Sequence, residues 1–154
     1  MNKAPIKRQS IIPRMDGIMR DIDKLRTLAH LPETQFCAIA ADSFYLAKLR
    51  LRESLEGVLN IGAHLISRVE GGRPTEYKDI ARKLGELGFV ERAFAERALI
   101  PMAGYRNRLT HFYAEITPAE MYQIIHTRLD DFTTFLSAIK SVLEHPERLN
   151  LAVE

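Results

Sequence analysis

The spacing of apolar residues is the feature that most constrains the fold of this chain. Along nearly its whole length, apolar side chains recur at intervals of three and four residues, which is the period of a helix with one buried face. One such series contains Met121, Ile125, Leu129, Phe132, Leu136, Ile139 and Leu143. No segment sustains the alternation with period two that is typical of a half-buried strand. The pattern therefore predicts an all-α protein.

Proline and glycine residues divide this pattern into the first three helices. Pro13 suits the first position of a helix, and that helix should stop near Leu31-Pro32 because a residue before proline avoids the α region. A long second helix carries apolar residues from Phe44 to Val69 and should end at Gly71-Gly72. A short third helix follows.

The start and the end of the third helix are predicted from single residues. Thr75 is a suitable N-cap, and Gly85 or Gly88 can close the helix.

Two more helices complete the prediction. The fourth covers residues 91–112 and contains Pro101, which should kink it or divide it in two. The last helix has an N-cap at Thr117, Pro118 at its first position and Glu120 to complete a capping box, and Pro146 ends it. The expected architecture is a single domain over residues 1–154, an antiparallel bundle of about five helices.

Composition and charge limit the class of protein. The 154 residues are 46% apolar and 27% charged, and 22 basic residues against 20 acidic ones give a net charge of only +2. Such a balance does not indicate nucleic-acid binding unless basic residues cluster locally. The single cysteine, Cys37, excludes an intrachain disulfide and suits a reducing compartment. Because no apolar run approaches the roughly 20 residues of a membrane span, we expect a cytoplasmic protein.

One segment groups residues that could perform chemistry: Arg106-Asn107-Arg108-Leu109-Thr110-His111-Phe112-Tyr113. Histidine titrates near neutral pH, so His111 could take the proton from a ribose 2′-hydroxyl or return one to a leaving 5′-oxygen. Arginine stays charged and offers a fork of donors to phosphate oxygens, where negative charge builds in the transition state. A ribonuclease of this kind needs no metal. The same residue types also occur by chance near helix ends, where they interact with the helix dipole.

Helix geometry separates the members of this segment. At about 100° per residue, Arg106 and Tyr113 nearly eclipse each other, whereas His111 lies about 140° around the axis from Arg106. One straight helix cannot easily aim Arg106 and His111 at a single phosphate. Either the helix unwinds near Thr110 or a second chain completes the site, and a dimer is the more economical explanation.

The same segment resembles a known family. Arg106-x4-His111-x-Tyr113 is similar to the Arg-x4-His-x-Tyr signature of HepT-like toxins, within the broader HEPN superfamily. A polar residue directly after the arginine, here Asn107, is also usual in that superfamily. The resemblance extends roughly from Phe44 to Ile139, and residues 47–51, 60–66, 84–88 and 129–132 carry it outside the motif.

The resemblance implies a fold, an activity and a partner. It implies a helical homodimer with two motifs facing each other across a cleft, and a metal-independent endoribonuclease toxin that acts on RNA without a cofactor. It also implies an MntA-like minimal nucleotidyltransferase antitoxin that transfers AMP onto Tyr113. By this likeness His111 is the acid and base, Arg106 binds phosphate and stabilises the transition state, and Asn107 orients the site.

Two other functions fit the same sequence. The first alternative is a non-catalytic HEPN bundle that binds nucleotide or docks a nucleotidyltransferase. The second is a plain helical interaction protein. The presence of Arg106, His111 and Tyr113 together favours the enzyme, because a scaffold has no chemical use for all three.

Several other polar residues are expected to be structural or solvent-exposed. His64 is predicted to be a packed or surface histidine, and His30, His126 and His145 lack the companions that a zinc site needs. Arg108 could contact the RNA backbone or simply face solvent. The basic stretch of Lys48, Arg50 and Arg52 is interpreted as a solvated helix face.

Overall fold

A computed structural model describes residues 3–69, 76–111 and 115–154. Its elements, in chain order, are α1 (Arg8–Ala29), α2 (Glu33–Phe36), α3 (Ser43–Val69), α4 (Tyr77–Glu86), α5 (Arg92–Phe94), a π-helical turn (Ala95–Leu99), α6 (Ile100–Thr110), α7 (Pro118–Thr127), α8 (Leu129–Glu144) and a 3₁₀ turn (Pro146–Leu149). Within these ranges no strand is present, and the predicted all-α class is confirmed. The described residues contain more helices than the five expected.

Helices α1 and α3 pack along each other and form the centre of the bundle. Helix α8 packs against α1, whereas α4 and α6 pack against α3. The core is filled by side chains from all of these helices, and Phe36, Phe132 and Phe135 are among the largest that are fully buried. Burying aromatic and branched aliphatic side chains stabilises the fold by roughly 1.5–3 kcal/mol each. The apolar stripes identified in the sequence are therefore the faces that meet.

The prediction that Pro13 occupies the first position of α1 is wrong, because the helix begins five residues earlier at Arg8. Ile6 and Ile11 are fully buried, so the chain before Pro13 is part of the core. Pro13 itself is exposed. The backbone hydrogen bond that a proline cannot make is thus missing on the solvent side, where water can replace it.

The N-terminal segment is also tied to the C-terminal one. The Ile6 N–H donates to the carbonyl oxygen of Ala152 at 2.8 Å, and the Glu154 N–H donates to that of Ile6 at 2.8 Å. An isolated parallel bridge between Ile6 and Val153 results. Such a long-range contact has no local sequence signal.

The boundaries of α3 and α4 agree with the prediction where they are described. The predicted stop at Gly71-Gly72 and the predicted cap Thr75 lie outside the described residues, and Glu76 precedes the first residue of α4. Gly88, with a φ of 84°, follows the end of α4. The N–H of Phe89 donates to Leu84 O at 3.0 Å and that of Gly88 to Gly85 O at 3.2 Å, which is a Schellman motif. The predicted closure at Gly88 is confirmed.

The predicted disturbance at Pro101 is also confirmed, and it takes the form of a π-helical turn. Pro101 lies in the first turn of α6, directly after the π turn Ala95–Leu99. Proline lacks the N–H that would bond to the carbonyl of Arg97 and its ring collides with that carbonyl. A wider π turn before the proline relieves the collision while the helix continues.

The last predicted helix is divided in two at Arg128, which was not expected. Thr117 caps α7 as predicted, since its side chain accepts a hydrogen bond from the Glu120 N–H at 3.2 Å. The chain then bends at Arg128, and α8 starts with Asp130 and Asp131 in its first turn. Carboxylates at this position stabilise a helix start. Continuous apolar spacing across the bend concealed it in the sequence.

Candidate active site

His111 is the first residue after the motif helix. Helix α6 ends at Thr110, and the backbone of His111 is extended, with φ −116° and ψ 122°. The structure therefore has the first of the two arrangements that helix geometry allowed, an unwinding at Thr110. Leaving the helix directs His111 away from the position that a continuous helix would have given it.

His111 lines a pocket of about 230 Å³ between α3 and the segment that follows α6. Most of the described residues that line the pocket are polar or charged, with three basic side chains among them, and two are apolar. They are Lys48, Arg52, Arg108, Thr110, His111 and Glu115, with Leu109 and Ile116 as the apolar pair. His111 is exposed there, so solvent and a ligand can reach its ring. A titratable group in a basic pocket is suited to proton transfer at a phosphate.

Arg106 is held by contacts with three side chains. Its Nη2 is 3.5 Å from Oε1 of Glu56 on α3, and its Nη1 donates to Oγ1 of Thr110 at 3.4 Å. The guanidinium carbon lies 4.2 Å from the centroid of the Tyr77 ring on α4, in cation–π geometry. The side chain is 19% exposed, so it is oriented but not sealed off.

The two catalytic candidates are neighbours that do not share a pocket. Arg106 is not among the described residues lining the His111 pocket, but Thr110 is, and it accepts a hydrogen bond from Arg106. Arg52 also joins the two regions, because its Nε lies 3.5 Å from the same Glu56 oxygen. The structure thus connects Arg106 to the pocket through Thr110 and through the Glu56 carboxylate.

Asn107 is not among the described residues that line the His111 pocket. It lines a shallow depression together with Lys78, Pro101, Gly104, Tyr105 and Arg108. Within the described residues it therefore does not face the His111 pocket. Tyr113, the residue expected to be modified, lies outside the described residues.

The basic stretch on α3 has two roles that the sequence did not distinguish. Lys48 and Arg52 line the His111 pocket while the Arg52 side chain stays 53% exposed, so this solvated helix face also forms one wall of the pocket. Arg50 points the other way, and its Nη1 is 3.2 Å from Oδ1 of Asp21 on α1. Burial raises the pKa of the Asp21 carboxyl, and the Arg50 guanidinium opposes that rise. The spacing of four between Lys48 and Arg52 was the available signal, because it places both on one face.

Arg108 is bound by a carboxylate. Its Nη1 lies 2.6 Å from Oε1 of Glu120 and its Nη2 donates to Oε2 at 2.9 Å, a bidentate pair that joins α6 to α7. The hydrogen bond that Arg108 donates to the Glu120 carboxylate raises the pKa of the Arg108 guanidinium further. The pair therefore holds Arg108 in position at the wall of the His111 pocket. Glu120 thus binds Arg108 and also lies in the first turn of α7.

His64 is packed, as expected. Its Nε2 accepts a hydrogen bond from the Lys7 N–H at 3.2 Å, at the start of α1. Burial, together with the charges of Arg68, Arg14 and Lys7, lowers the pKa of His64 to about 4. The ring is neutral at physiological pH and acts as an acceptor for the backbone.

A metal-binding cluster and a membrane-spanning helix are both absent from the residues that the structure describes. Those residues include no group of three or more histidine, cysteine or carboxylate side chains placed to hold a metal ion. None of the helices they form combines the length and the apolar character that crossing a membrane requires.

Comparisons with known proteins agree on one family. A family model described as "Ribonuclease HepT-like" matches residues 18–139. A relative named tRNA nuclease HepT, from Aphanizomenon flos-aquae (strain 2012/KM1/D3), is 22% identical over 130 residues, which cover 84% of this chain and 87% of that protein.

Solved structures share the fold. One is a toxin–antitoxin with AMP-PNP, with a TM-score of 0.76, 22% identity and coverage of 86% of this chain and 98% of that chain. Another is a tri-AMPylated Shewanella oneidensis HEPN toxin in complex with MNT antitoxin, with a TM-score of 0.75, 23% identity and coverage of 85% and 96%. At these identities the likeness shows the helical fold.

Proposed function

Because this chain belongs to the ribonuclease HepT-like family, we propose that it is a metal-independent endoribonuclease with His111 and Arg106 as its catalytic residues. The observation that carries the proposal is the pocket at His111, whose walls are basic and whose neighbour Arg106 is held in place by Glu56 and Tyr77. The relative from Aphanizomenon flos-aquae, named tRNA nuclease HepT, supports the same substrate class.

The proposed reaction is an internal transesterification of RNA. His111 removes the proton from a ribose 2′-hydroxyl, and the oxygen attacks the adjacent phosphorus. The bond from phosphorus to the 5′-oxygen breaks, a proton is returned to that oxygen, and a 2′,3′-cyclic phosphate remains. Arg106 stabilises the negative charge that develops on the phosphate oxygens. The Arg106 side chain is 19% exposed, so a phosphate can reach the guanidinium while the contacts to Glu56 and Thr110 keep it oriented.

The proposed biological role is that of a toxin. The solved relatives are described as toxins bound to antitoxins, which supports the same role here. The test is induction of the protein alone in cells, beside His111→Ala at equal abundance. We expect arrested growth with the natural protein and normal growth with His111→Ala. Equal arrest by both would contradict catalysis and favour a bundle that acts by binding.

We propose that the antitoxin attaches AMP to Tyr113. One related toxin is described as tri-AMPylated in complex with an MNT antitoxin. AMP on the phenol oxygen would add a nucleoside and about one negative charge two residues after His111, and its phosphate could occupy the Arg106 guanidinium. RNA would then be excluded by volume and by charge. No refolding is required.

Intact-mass analysis after co-expression with the cognate nucleotidyltransferase tests this part. An AMP-sized adduct is expected on the natural protein and not on Tyr113→Phe, which should retain cleavage and escape neutralisation. An equal adduct on Tyr113→Phe would exclude Tyr113 as the modified residue.

The proposed assembly is a homodimer. Helix α3 and the segment before it carry large apolar side chains that are exposed in the single chain, namely Ile39, Tyr45, Leu46 and Leu49. These apolar residues are near Lys48 and Arg52 in the sequence. A second copy of the chain that covers them would therefore face the His111 pocket, which Lys48 and Arg52 line. An isologous interface of this kind brings two motifs together, which agrees with the separation of Arg106 from the His111 pocket.

Sedimentation at micromolar concentration tests the assembly. A dimer is expected for the natural protein, and Leu46→Glu with Leu49→Glu should shift it to monomer, because two carboxylates would be buried in the interface. A natural protein that sediments as a monomer at all accessible concentrations would contradict the dimer.

A further inference from the structure

The His111 pocket has a basic wall that the reaction itself does not use. Lys48 and Arg52 come from the rigid helix α3, four residues apart, and line one side of the pocket. Residues with this spacing are neighbours on one helix face, about 5–6 Å apart at Cβ. His111, beyond the end of α6, lines the same pocket.

The carboxylates around this wall do not balance its cations. Glu120 engages Arg108 through both oxygens, and one oxygen of Glu56 is shared by Arg52 and Arg106 at 3.5 Å each. Counting Glu115, three carboxylates face four basic side chains, which are Lys48, Arg52, Arg106 and Arg108. Within the described part of the chain the cluster therefore keeps an excess of positive charge.

The individual contacts show where that excess lies. Arg108 is held in a bidentate pair, whereas the side chain of Arg52 is 53% exposed and meets its carboxylate only at Nε. The Lys48 ammonium lies 5.3 Å from the centroid of the Phe44 ring. Lys48 and the terminal nitrogens of Arg52 are thus the groups best placed to meet an anion in the pocket.

We infer that Lys48 and Arg52 form a subsite for a backbone phosphate of the RNA next to the phosphate that is cleaved. This inference rests on the proposed ribonuclease activity and adds a binding position to it. Lysine supplies a compact charge and arginine a fork of donors, and both are suited to phosphodiester oxygens. Because α3 also carries Glu56, the same helix would hold the RNA and orient Arg106. The subsite contributes to binding and register, and contacts of this kind carry no sequence information.

The experiment measures RNA binding in the His111→Ala background, so that cleavage is not needed for the readout. Fluorescence anisotropy of a labelled single-stranded RNA is recorded at several KCl concentrations. Lys48→Gln in this background should weaken binding about tenfold or less and flatten the slope of log K against log salt by about 0.7, the value for one phosphate contact on a single strand. Arg52→Lys, which retains the charge, should leave the slope unchanged.

Lys24→Gln is the matched control, because Lys24 is an exposed lysine on α1. Its affinity and slope should equal those of the parent. Equal thermal unfolding midpoints for Lys48→Gln and Lys24→Gln verify that both fold. If Lys48→Gln binds with the same affinity and slope as the control, the subsite is wrong.

Cleavage by otherwise natural protein separates this inference from the proposed activity. Lys48→Gln should raise KM with little change in kcat, because a contact made equally in the ground and transition states affects binding alone. If the natural protein cleaves RNA but Lys48→Gln has the same KM, the subsite is wrong and the ribonuclease activity stands. If the protein does not cleave RNA, but Lys48→Gln still flattens the slope of log K against log salt, the ribonuclease activity is wrong and the phosphate-binding position stands.

Discussion

The Oε1 atom of Glu56 lies 3.5 Å from Nη2 of Arg106, so a carboxylate on α3 holds the motif arginine on α6. The motif therefore depends on a residue fifty positions earlier in the chain. Tyr77, on a third helix, covers the same guanidinium. Side chains from α3 and α4 thus orient the motif arginine of α6.

Replacing Glu56 should reduce turnover more than binding. Glu56→Gln removes the charge that orients Arg106, and displacing a catalytic group by about 1 Å can cost up to roughly 10²-fold in rate. We expect kcat for RNA cleavage to fall about 10- to 100-fold with KM nearly unchanged. Glu144→Gln on α8, where the carboxylate pairs with Lys140 at 4.0 Å, is the control. Equal kcat values for Glu56→Gln and Glu144→Gln would show that Glu56 does not orient Arg106 for cleavage.

Tyr77 should act through its ring and not through its hydroxyl. Tyr77→Phe keeps an aromatic face over Arg106 and should retain most activity. Tyr77→Leu keeps an apolar side chain but removes the cation–π interaction, which is worth about 0.5–2 kcal/mol, so a several-fold to about tenfold loss of kcat is expected. Steady-state cleavage assays compare the two. The reverse order of activities would show that the hydroxyl matters instead.

The contact between α3 and α4 should be sensitive to a single methyl group. A Cβ at Gly62 would lie 2.7 Å from Cγ2 of Ile80 and 2.9 Å from Cδ1 of Leu84. Overpacking of this kind costs typically about 1–3 kcal/mol, so Gly62→Ala should lower the free energy of unfolding by that amount in urea. At Gly104 a Cβ meets nothing within 4 Å. Gly104→Ala should be neutral or stabilising by up to about 1 kcal/mol, since alanine favours the helix. Equal effects would contradict the packing described for α3 and α4.

Acid should destabilise the protein partly through His64. The folded-state pKa of about 4 lies below the ordinary value of 6.5, so the unfolded chain binds more protons between these values. Stability from this group is therefore fully present above about pH 6.5 and is lost as pH falls toward 4. Urea midpoints at pH 7, 6 and 5 should fall for the natural protein and fall less for His64→Gln. The exposed His126→Gln serves as the control and should follow the natural protein.

Local signals in the sequence predicted the helices well. The Thr117 cap, the stop at Gly88 and the disturbance at Pro101 each depend on residues within one turn, and each is confirmed. The start of α1 and the bend at Arg128 were missed. The first depends on contacts with the distant C-terminal segment. The second interrupts the backbone without interrupting the apolar spacing.

The candidate site was predicted only in part, for the same physical reason. The motif named Arg106 and His111, and helix geometry showed that they diverge. Glu56, Tyr77, Lys48 and Arg52 were not assigned to the site, because their roles arise when α3 and α4 pack against α6. A charge on an exposed helix face looks the same in sequence whether it meets solvent or a pocket.

Cleavage of RNA by purified protein in excess EDTA, with analysis of the new ends, tests the central claim most directly. The account predicts cleavage with 2′,3′-cyclic phosphate ends or their hydrolysis product, and no cleavage of DNA of the same sequence, which lacks the 2′-hydroxyl. His111→Ala and Arg106→Ala should each lose activity, with about 10²- to 10⁴-fold expected for a general base. Undiminished cleavage by His111→Ala, loss of natural activity on adding EDTA, or equal cleavage of the DNA would contradict it.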